Sequence, residues 1–167
     1  MGEQPDNRQK KLVILMLSVH GLVRGHELEL GRDADTGGQV TYVVELARQL
    51  GLHPEVERVD LLTRLIEDER IDRSYAQREE PLGPGARIVR LPCGPKRYIR
   101  KELLWPHLDE LVDNCLLFIR QQGQLPDLIH SHYADAGYVG QQLSGILGVP
   151  LIHTGHSLGR PKRERLL

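Results

Sequence analysis

The chain has 167 residues, of which 40% are hydrophobic and 27% are charged, and this length and composition predict one domain with a real core. Its 22 lysines and arginines nearly balance its 23 aspartates and glutamates, which disfavours a general nucleic-acid binder. The longest clean apolar run, residues 12–17, is far shorter than the roughly 20 residues of a membrane-spanning helix. The two cysteines have no metal or disulfide spacing, which favours a cytoplasmic protein. From the charge balance and the short apolar run, neither a nucleic-acid nor a membrane partner is predicted.

Short apolar runs alternate with longer amphipathic segments, as in a parallel sheet whose strands are joined by helices. After a polar segment over residues 1–11, strands are predicted at residues 12–18, 59–63, 87–91, 127–130 and 151–154. Helices are predicted at residues 40–50, 106–119 and 134–147, and the charged, then Pro/Gly-rich residues 67–85 are interpreted as a surface excursion. The predicted fold class is α/β, a Rossmann-like doubly wound parallel sheet over residues 12–167.

The unusual residues of the sequence fall in four loops, which follow Ser18, Leu91, His130 and Thr154. Right-handed crossovers place the loops after parallel strands at one edge of the sheet. Open α/β sheets bind their ligands at this edge. The sequence therefore predicts a ligand site built from these four loops.

A glycine-rich segment, Asp35-Thr36-Gly37-Gly38-Gln39, joins the first predicted strand to the first predicted helix. Adjacent glycines let backbone N–H groups approach a ligand closely, and a helix N-terminus attracts anions. The segment is neither the GxGxxG dinucleotide motif nor a GxxxxGK[ST] phosphate-binding loop. Two interpretations stay open for it: an anion or sugar-phosphate site, and a flexible turn that happens to begin a helix.

Three further residues could complete a phosphate pocket at the same edge. His156 follows the fifth predicted strand and could bond a substrate hydroxyl, although a loop histidine with a purely structural partner is the simpler interpretation. Lys101 follows the third strand and Lys162 follows the fifth. One lysine near a loop carries little weight, but two that converge on a helix N-terminus would form a credible phosphate site.

The pair His130 and His132, at the end of the fourth predicted strand, raises the question of a metal. If the strand continues through His132, we expect the two rings on opposite faces, and no third ligand accompanies them. No metal and no cofactor are therefore predicted. Asp135, shortly afterwards, is interpreted as a cap of the following helix.

Six segments of the chain stand out together: HGLVRGHELELGRDADTGGQVTYVVELARQL, VDLLTR, IVRLPCGP, RKELLWPHLDE, HSHYADAGYVG and TGHSLGRPKRERLL. In this order they resemble the sucrose-phosphate synthase family, a branch of the retaining GT-B glycosyltransferases that also include sucrose synthase. The resemblance covers roughly residues 12–167. Sucrose synthases share the DTGGQV stretch, but the ELGRD and GHSLG segments resemble the phosphate-accepting branch.

The resemblance implies an activity and a place for this chain in it. The activity is transfer of glucose from a nucleotide-glucose, UDP- or ADP-glucose, to fructose 6-phosphate, which gives sucrose 6-phosphate with retention of configuration. The chain would be the N-terminal half, an acceptor-binding domain over residues 12–167.

The resemblance also implies roles for individual residues. Those near the acceptor and the donor diphosphate would be the loop residues Gly37, Gly38 and Gln39. Lys101 and Lys162 would bind phosphate, and His156 would be the catalytic histidine that contacts the transferred glucose. The neighbours of Lys101 that could take its place are Lys96, Arg97 and Arg100.

Members of the family continue into a second domain that holds most of the nucleotide sugar, and residues 1–167 do not include it. We therefore expect the chain to be a fragment with little activity by itself. One alternative is a sucrose synthase-type transferase that uses unphosphorylated fructose, and another is a non-catalytic sugar-phosphate-binding module. A third, a dinucleotide-binding oxidoreductase domain, is disfavoured by the missing GxGxxG motif.

Overall fold

A computed structural model describes residues 9–157 and 163–165 of the chain. Within these residues six strands form one sheet, and three α-helices connect them. The strands are β1 (Leu12–Leu17), β2 (Val56–Arg64), β3 (Glu79–Pro81), β4 (Ala86–Leu91), β5 (Leu128–His132) and β6 (Leu151–Thr154). The helices are α1 (Gly38–Gly51), α2 (Leu108–Gln122) and α3 (Tyr133–Leu147). None of the helices in the described ranges is long and apolar enough to cross a membrane.

The strands lie in the order β3-β4-β2-β1-β5-β6, with β3 antiparallel to β4 and the other neighbours parallel. Without β3, this is the 3-2-1-4-5 order of doubly wound dinucleotide-binding sheets. The predicted α/β fold with a doubly wound parallel sheet is therefore confirmed. The strand order reverses between β1 and β5, and the crevice outside the carboxyl ends of these two strands is where such sheets bind ligands.

The sheet carries a hydrophobic core on each of its faces. Ile14 and Met16 pack against α1 on one face, whereas Leu15 and Leu17 pack against α2 and α3 on the other. All four side chains are almost fully buried. This is why β1 has apolar residues at every position instead of an alternating pattern, as expected for a central parallel strand.

The interpretation of residues 67–85 as a surface excursion is wrong in part. Tyr75 is buried in a 3₁₀ turn, and Glu79–Pro81 forms β3 at the edge of the sheet. The local sequence there is charged and flanked by proline and glycine, so no strand signal is present. The strand forms because Glu80 reaches a buried partner on β4, Arg90, at 2.5 Å.

The fourth of the predicted strands, at residues 127–130, extends further along the chain than predicted. β5 continues to His132, and α3 begins at the next residue. The rings of His130 and His132 lie together, with centroids 4.1 Å apart. The expectation that they point to opposite faces is wrong, because residues two apart in a strand share a face.

Candidate functional site

A cavity of about 310 Å³ lies at the carboxyl ends of the parallel strands, beside the reversal between β1 and β5. Its size is within the range of about 300–1,000 Å³ that holds small-molecule ligands. Its wall consists of the loop after β1, the N-terminus of α1, and the residues that follow β4, β5 and β6. The lining residues are His20, Ala34, Asp35, Gly37, Gly38, Gln39, Lys101, Tyr133, His156 and Ser157.

The N-terminus of α1 opens onto this cavity. Gly37 is the N-cap, no side chain caps this end, and the first turn carries no acidic residue. The first N–H groups of a helix have no intrahelical partner, and the helix dipole adds partial positive charge. A Cβ added at Gly37 or Gly38 would meet no atom within 4 Å. Packing therefore does not require glycine at either position, and the missing side chains leave the helix end open to a ligand.

Lys101 places a cation on the wall of the cavity, and it is paired with Asp35. Its Nζ lies 2.5 Å from Oδ1 of Asp35, and its backbone N–H donates to Oδ2 at 2.7 Å. Burial by itself opposes the Asp35 carboxylate, but the hydrogen bonds from Lys101 outweigh burial and hold the pKa of Asp35 below its usual range. The same pairing raises the pKa of Lys101. The lysine is thus charged and held in one position, with the helix N-terminus nearby.

A second buried pair supports the opposite wall. The ring Nδ1–H of His20 donates to Oδ2 of Asp135 at 2.8 Å, and the Tyr133 ring lies edge-on to His20. Asp135 lies in the first turn of α3 and is not its N-cap, although its Oδ1 accepts from the N–H of Ala136. With Nδ1 bonded to Asp135, the Nε2 of His20 is the ring nitrogen left for a ligand.

Two residues on the cavity wall have left-handed backbone conformations, with φ of 74° at Tyr133 and 53° at His156. Such conformations cost a non-glycine residue about 1–3 kcal/mol and concentrate at ligand and catalytic sites. Tyr133 directly follows β5, and His156 lies two residues after the end of β6. The strain at these two positions supports a site at this edge.

Burial favours the uncharged form of three histidines at this edge, namely His130 and His132 at the end of β5 and His156 after β6. Burial, together with the neighbouring histidines, lowers the pKa of His132 to about 3, and burial also lowers the pKa of His130 and His156. Among the described residues, Lys101 and the N-terminus of α1 offer positive charge to an anion in the cavity. Across residues 9–157 and 163–165, no group of three or more metal-ligating side chains is arranged to hold a metal ion.

The structure brings most of the predicted site residues together. Five of them line the cavity at the carboxyl ends of the strands: Gly37, Gly38, Gln39, Lys101 and His156. Lys162 lies outside the residues that the structure describes. The individual roles of these residues stay predictions.

The alternatives to Lys101 lie elsewhere. Lys96 pairs with Glu67 at the surface, at 2.9 Å. Arg97 and Arg100 line a separate open cavity of about 900 Å³, whose wall also carries several acidic side chains. Although that cavity is larger, none of the predicted site residues lines it.

Sequence reasoning missed the two hydrogen-bonded side-chain pairs that shape the site. Asp35 and Lys101 are 66 residues apart, and His20 and Asp135 are 115 residues apart. One signal could have found them: all four residues follow the carboxyl ends of parallel strands, where side chains from distant segments meet.

The paired carboxylates predict how stability depends on pH. The pKa values of Asp35 and Glu80 are both held below their usual range by hydrogen bonds that outweigh burial. Their contribution to the free energy of unfolding is complete above the unfolded pKa of about 4, and is lost as the pH falls through the lower folded values. We expect urea unfolding curves from pH 7 downward to show this loss below about pH 4.

The variant Asp35→Asn is the control for that measurement. It removes one of the two titrating groups, so the free energy of unfolding should fall less steeply with decreasing pH than in the parent chain. An unchanged slope would show that Asp35 is not stabilised as a carboxylate in the folded state.

Comparison with known proteins identifies the family of the chain. Residues 37–167 match the glycosyl transferase 4-like domain, and the chain belongs to this family. It is 50% identical to a sucrose-phosphate synthase of Zea mays over 97% of its own length, and 50% identical to sucrose-phosphate synthase 1 of Arabidopsis thaliana over 94%. The chain spans only 18% of each of these two relatives.

A solved structure gives the same result. The sucrose-phosphate synthase of Thermosynechococcus elongatus matches 92% of this chain with a TM-score of 0.74 and 31% sequence identity, and the match covers 35% of that protein. The resemblance to sucrose-phosphate synthases, which the sequence motifs carry, is therefore confirmed.

Proposed function

We propose that the chain supplies the acceptor-binding part of a retaining GT-B glycosyltransferase that makes sucrose 6-phosphate. In this reaction glucose passes from UDP- or ADP-glucose to fructose 6-phosphate. The observation that carries the proposal is the convergence of the α1 N-terminus, Lys101 and His156 on one cavity at the reversal of the strand order.

The cavity suits a sugar phosphate chemically. The free N–H groups of α1 and the ammonium of Lys101 would hold the phosphate oxygens. His156, whose ring is exposed at the cavity, would contact the transferred glucose. Fixing the phosphate also fixes the acceptor hydroxyl relative to the donor, and such positioning lowers the barrier of a two-substrate reaction.

The leaving nucleoside diphosphate would gain negative charge during the transfer. The N-terminus of α1, with Gly37 and Gly38 at its tip, offers preorganised donors for that charge. Most of the donor would be held by a further domain of the kind that the relatives contain. The two cysteines are buried free thiols, which supports a reducing, cytoplasmic location for the reaction.

The test is a calorimetric titration of the chain with fructose 6-phosphate, fructose, inorganic phosphate and NAD. We expect saturable binding of fructose 6-phosphate and much weaker binding of fructose. Equal binding of both sugars would favour the sucrose synthase alternative. Binding of NAD without fructose 6-phosphate, or no binding by a chain that circular dichroism shows to be folded, would contradict the proposal.

The substitution Gly38→Ala is expected to weaken ligand binding while leaving the stability of the chain nearly unchanged. Its Cβ would meet no protein atom but would project at the open end of α1. The free energy of unfolding should stay within about 1 kcal/mol of the parent value. The affinity for fructose 6-phosphate should fall roughly tenfold, an energy of about 1.4 kcal/mol. Urea unfolding and the calorimetric titration measure the two effects.

A matched glycine provides the control. Gly21 has a φ of 81°, and a Cβ there would lie 2.4 Å from the backbone oxygen of Asp35. Gly21→Ala should therefore destabilise the chain by at least about 1–2 kcal/mol. Equal losses of stability in the two variants would contradict the view that Gly38 is kept open for a ligand.

A further inference from the structure

His132 is buried directly behind His156. It is the last residue of β5, it is fully buried, and its Nδ1 lies 2.9 Å from Nε2 of His156. His156 lines the cavity and its ring is exposed. The two rings are thus joined by one hydrogen bond that leads from the core of the sheet to the site.

The rest of the His132 ring is enclosed by other aromatic rings. The His130 ring lies beside it at a centroid distance of 4.1 Å with the ring planes inclined by 37°, and Tyr42 lies edge-on at 5.9 Å. Its Nε2 is buried and has no hydrogen-bond partner among the described residues. Tyr42 also lies edge-on to His156, at 5.3 Å, so the same aromatic ring contacts both histidines.

The hydrogen bond between the two rings can be made in two ways. In the first, Nδ1–H of His132 donates to Nε2 of His156, and the buried Nε2 of His132 carries no proton, only a lone pair. In the second, Nε2–H of His156 donates to Nδ1 of His132, and the Nε2 of His132 must carry a buried N–H without an acceptor.

The first arrangement is favoured physically. A buried N–H without an acceptor is the rarer and costlier of the two orphan groups. A charged His132 ring, with protons on both nitrogens, is disfavoured by its burial and by the nearby imidazoles of His130, His153 and His156, which lower its pKa to about 3. In the first arrangement a neutral His156 carries its proton on Nδ1, the ring nitrogen that is left for a ligand.

We propose that His132 is a positioning residue that fixes the His156 ring and holds it as the neutral imidazole protonated on Nδ1. His156 then offers an N–H donor, and not a bare nitrogen, to a sugar hydroxyl oxygen in the cavity. The part of this inference that concerns the sugar rests on the proposed function. The part that concerns the proton and the ring position rests only on the geometry of the two histidines.

The experiment is ¹⁵N NMR of the histidine side chains in the 167-residue chain, which has eight histidines. Long-range ¹H–¹⁵N correlation spectra at neutral pH show which nitrogen of each ring carries the proton, and the variant His156→Gln identifies the His156 signals. In the parent chain we expect His156 protonated on Nδ1 and His132 protonated on Nδ1. A His156 ring protonated on Nε2 would overturn the proposal.

Three variants test the role of His132. His132→Phe keeps a flat ring but removes the hydrogen bond, so His156 should shift to protonation on Nε2, the form that free histidine prefers. His132→Asn places an amide N–H near the position of Nδ1 and should restore the Nδ1-protonated form. His153→Gln removes a neighbouring imidazole that bonds Ser131, and should leave His156 unchanged.

These outcomes do not depend on any ligand. If His132→Phe is folded, as judged by its amide spectrum, and His156 stays protonated on Nδ1, His132 does not fix the proton. If the NMR result is as expected but the chain binds no fructose 6-phosphate, the proposed function fails while the assignment of His132 stands.

Discussion

Replacing Lys101 by methionine is expected to weaken binding of fructose 6-phosphate by roughly 10- to 150-fold. Hydrogen bonds to charged groups contribute about 1.5–3 kcal/mol, which corresponds to that range of affinity. The ammonium of Lys101 lies on the cavity wall, with its side chain only 16% exposed, so little water would screen its contact with a phosphate. Calorimetric titration with fructose 6-phosphate measures the change.

The control for this variant is Lys96→Met. Lys96 is exposed and pairs with Glu67, so its loss should leave the affinity within about twofold of the parent value, since exposed pairs contribute little. The double variant Lys101→Met/Asp35→Asn also removes the Asp35 carboxylate, which would otherwise face the phosphate unpaired, so it should bind somewhat better than Lys101→Met but more weakly than the parent chain. Binding that survives in a folded Lys101 variant would move the phosphate site away from this cavity.

Replacing Arg90 by methionine is expected to lower the free energy of unfolding by about 3–5 kcal/mol, the cost of leaving a buried charge without its partner. Arg90 is fully buried, and its guanidinium donates to the Glu80 carboxylate and to the backbone oxygens of Val23 and Gln77. The same side chain therefore ties β3 and the loop after β1 to β4. Urea unfolding followed by circular dichroism measures the loss.

Replacing Glu80 as well shows how much of that loss of stability comes from its unpaired charge. Its carboxylate also accepts from the N–H of Gly25, so Gln can keep that bond while removing the charge. The double variant Arg90→Met/Glu80→Gln should be less destabilised than Arg90→Met, because no uncompensated charge stays in the core. Lys96→Met, which breaks an exposed pair, should cost no more than about 1 kcal/mol. If Lys96→Met and Arg90→Met lowered the free energy of unfolding by similar amounts, the buried pair would contribute no more to stability than an exposed one.

The two variants act on connected parts of the molecule. The loop after β1 carries Val23, which Arg90 holds, and ends at Asp35, which pairs with Lys101. Hydrogen exchange should therefore show faster opening of β3 and of this loop in Arg90→Met than in the parent chain. The edge strand thus supports the cavity from a distance, although none of its residues lines it.

The sequence by itself determined the sheet, its parallel strands and the edge at which the site lies. Strand β1 is apolar at every position and α1 places Val40, Val43 and Val44 on one face, and such patterns depend on residues only a few positions apart. The glycine-rich segment before α1 was readable for the same reason. These features follow from local backbone preferences and from burial, so they can be predicted without knowing the partners.

Only the tertiary structure decided which side chains meet. β3 forms in a charged segment because Arg90 supplies a buried partner, and Lys101 is held by Asp35 from a loop 66 residues away. His132, at the end of β5, reaches His156 in the segment that follows the neighbouring strand β6. The physical reason is that a hydrogen bond or ion pair depends on distance in space and on burial. Residues far apart in the chain acquire both only when the sheet has formed.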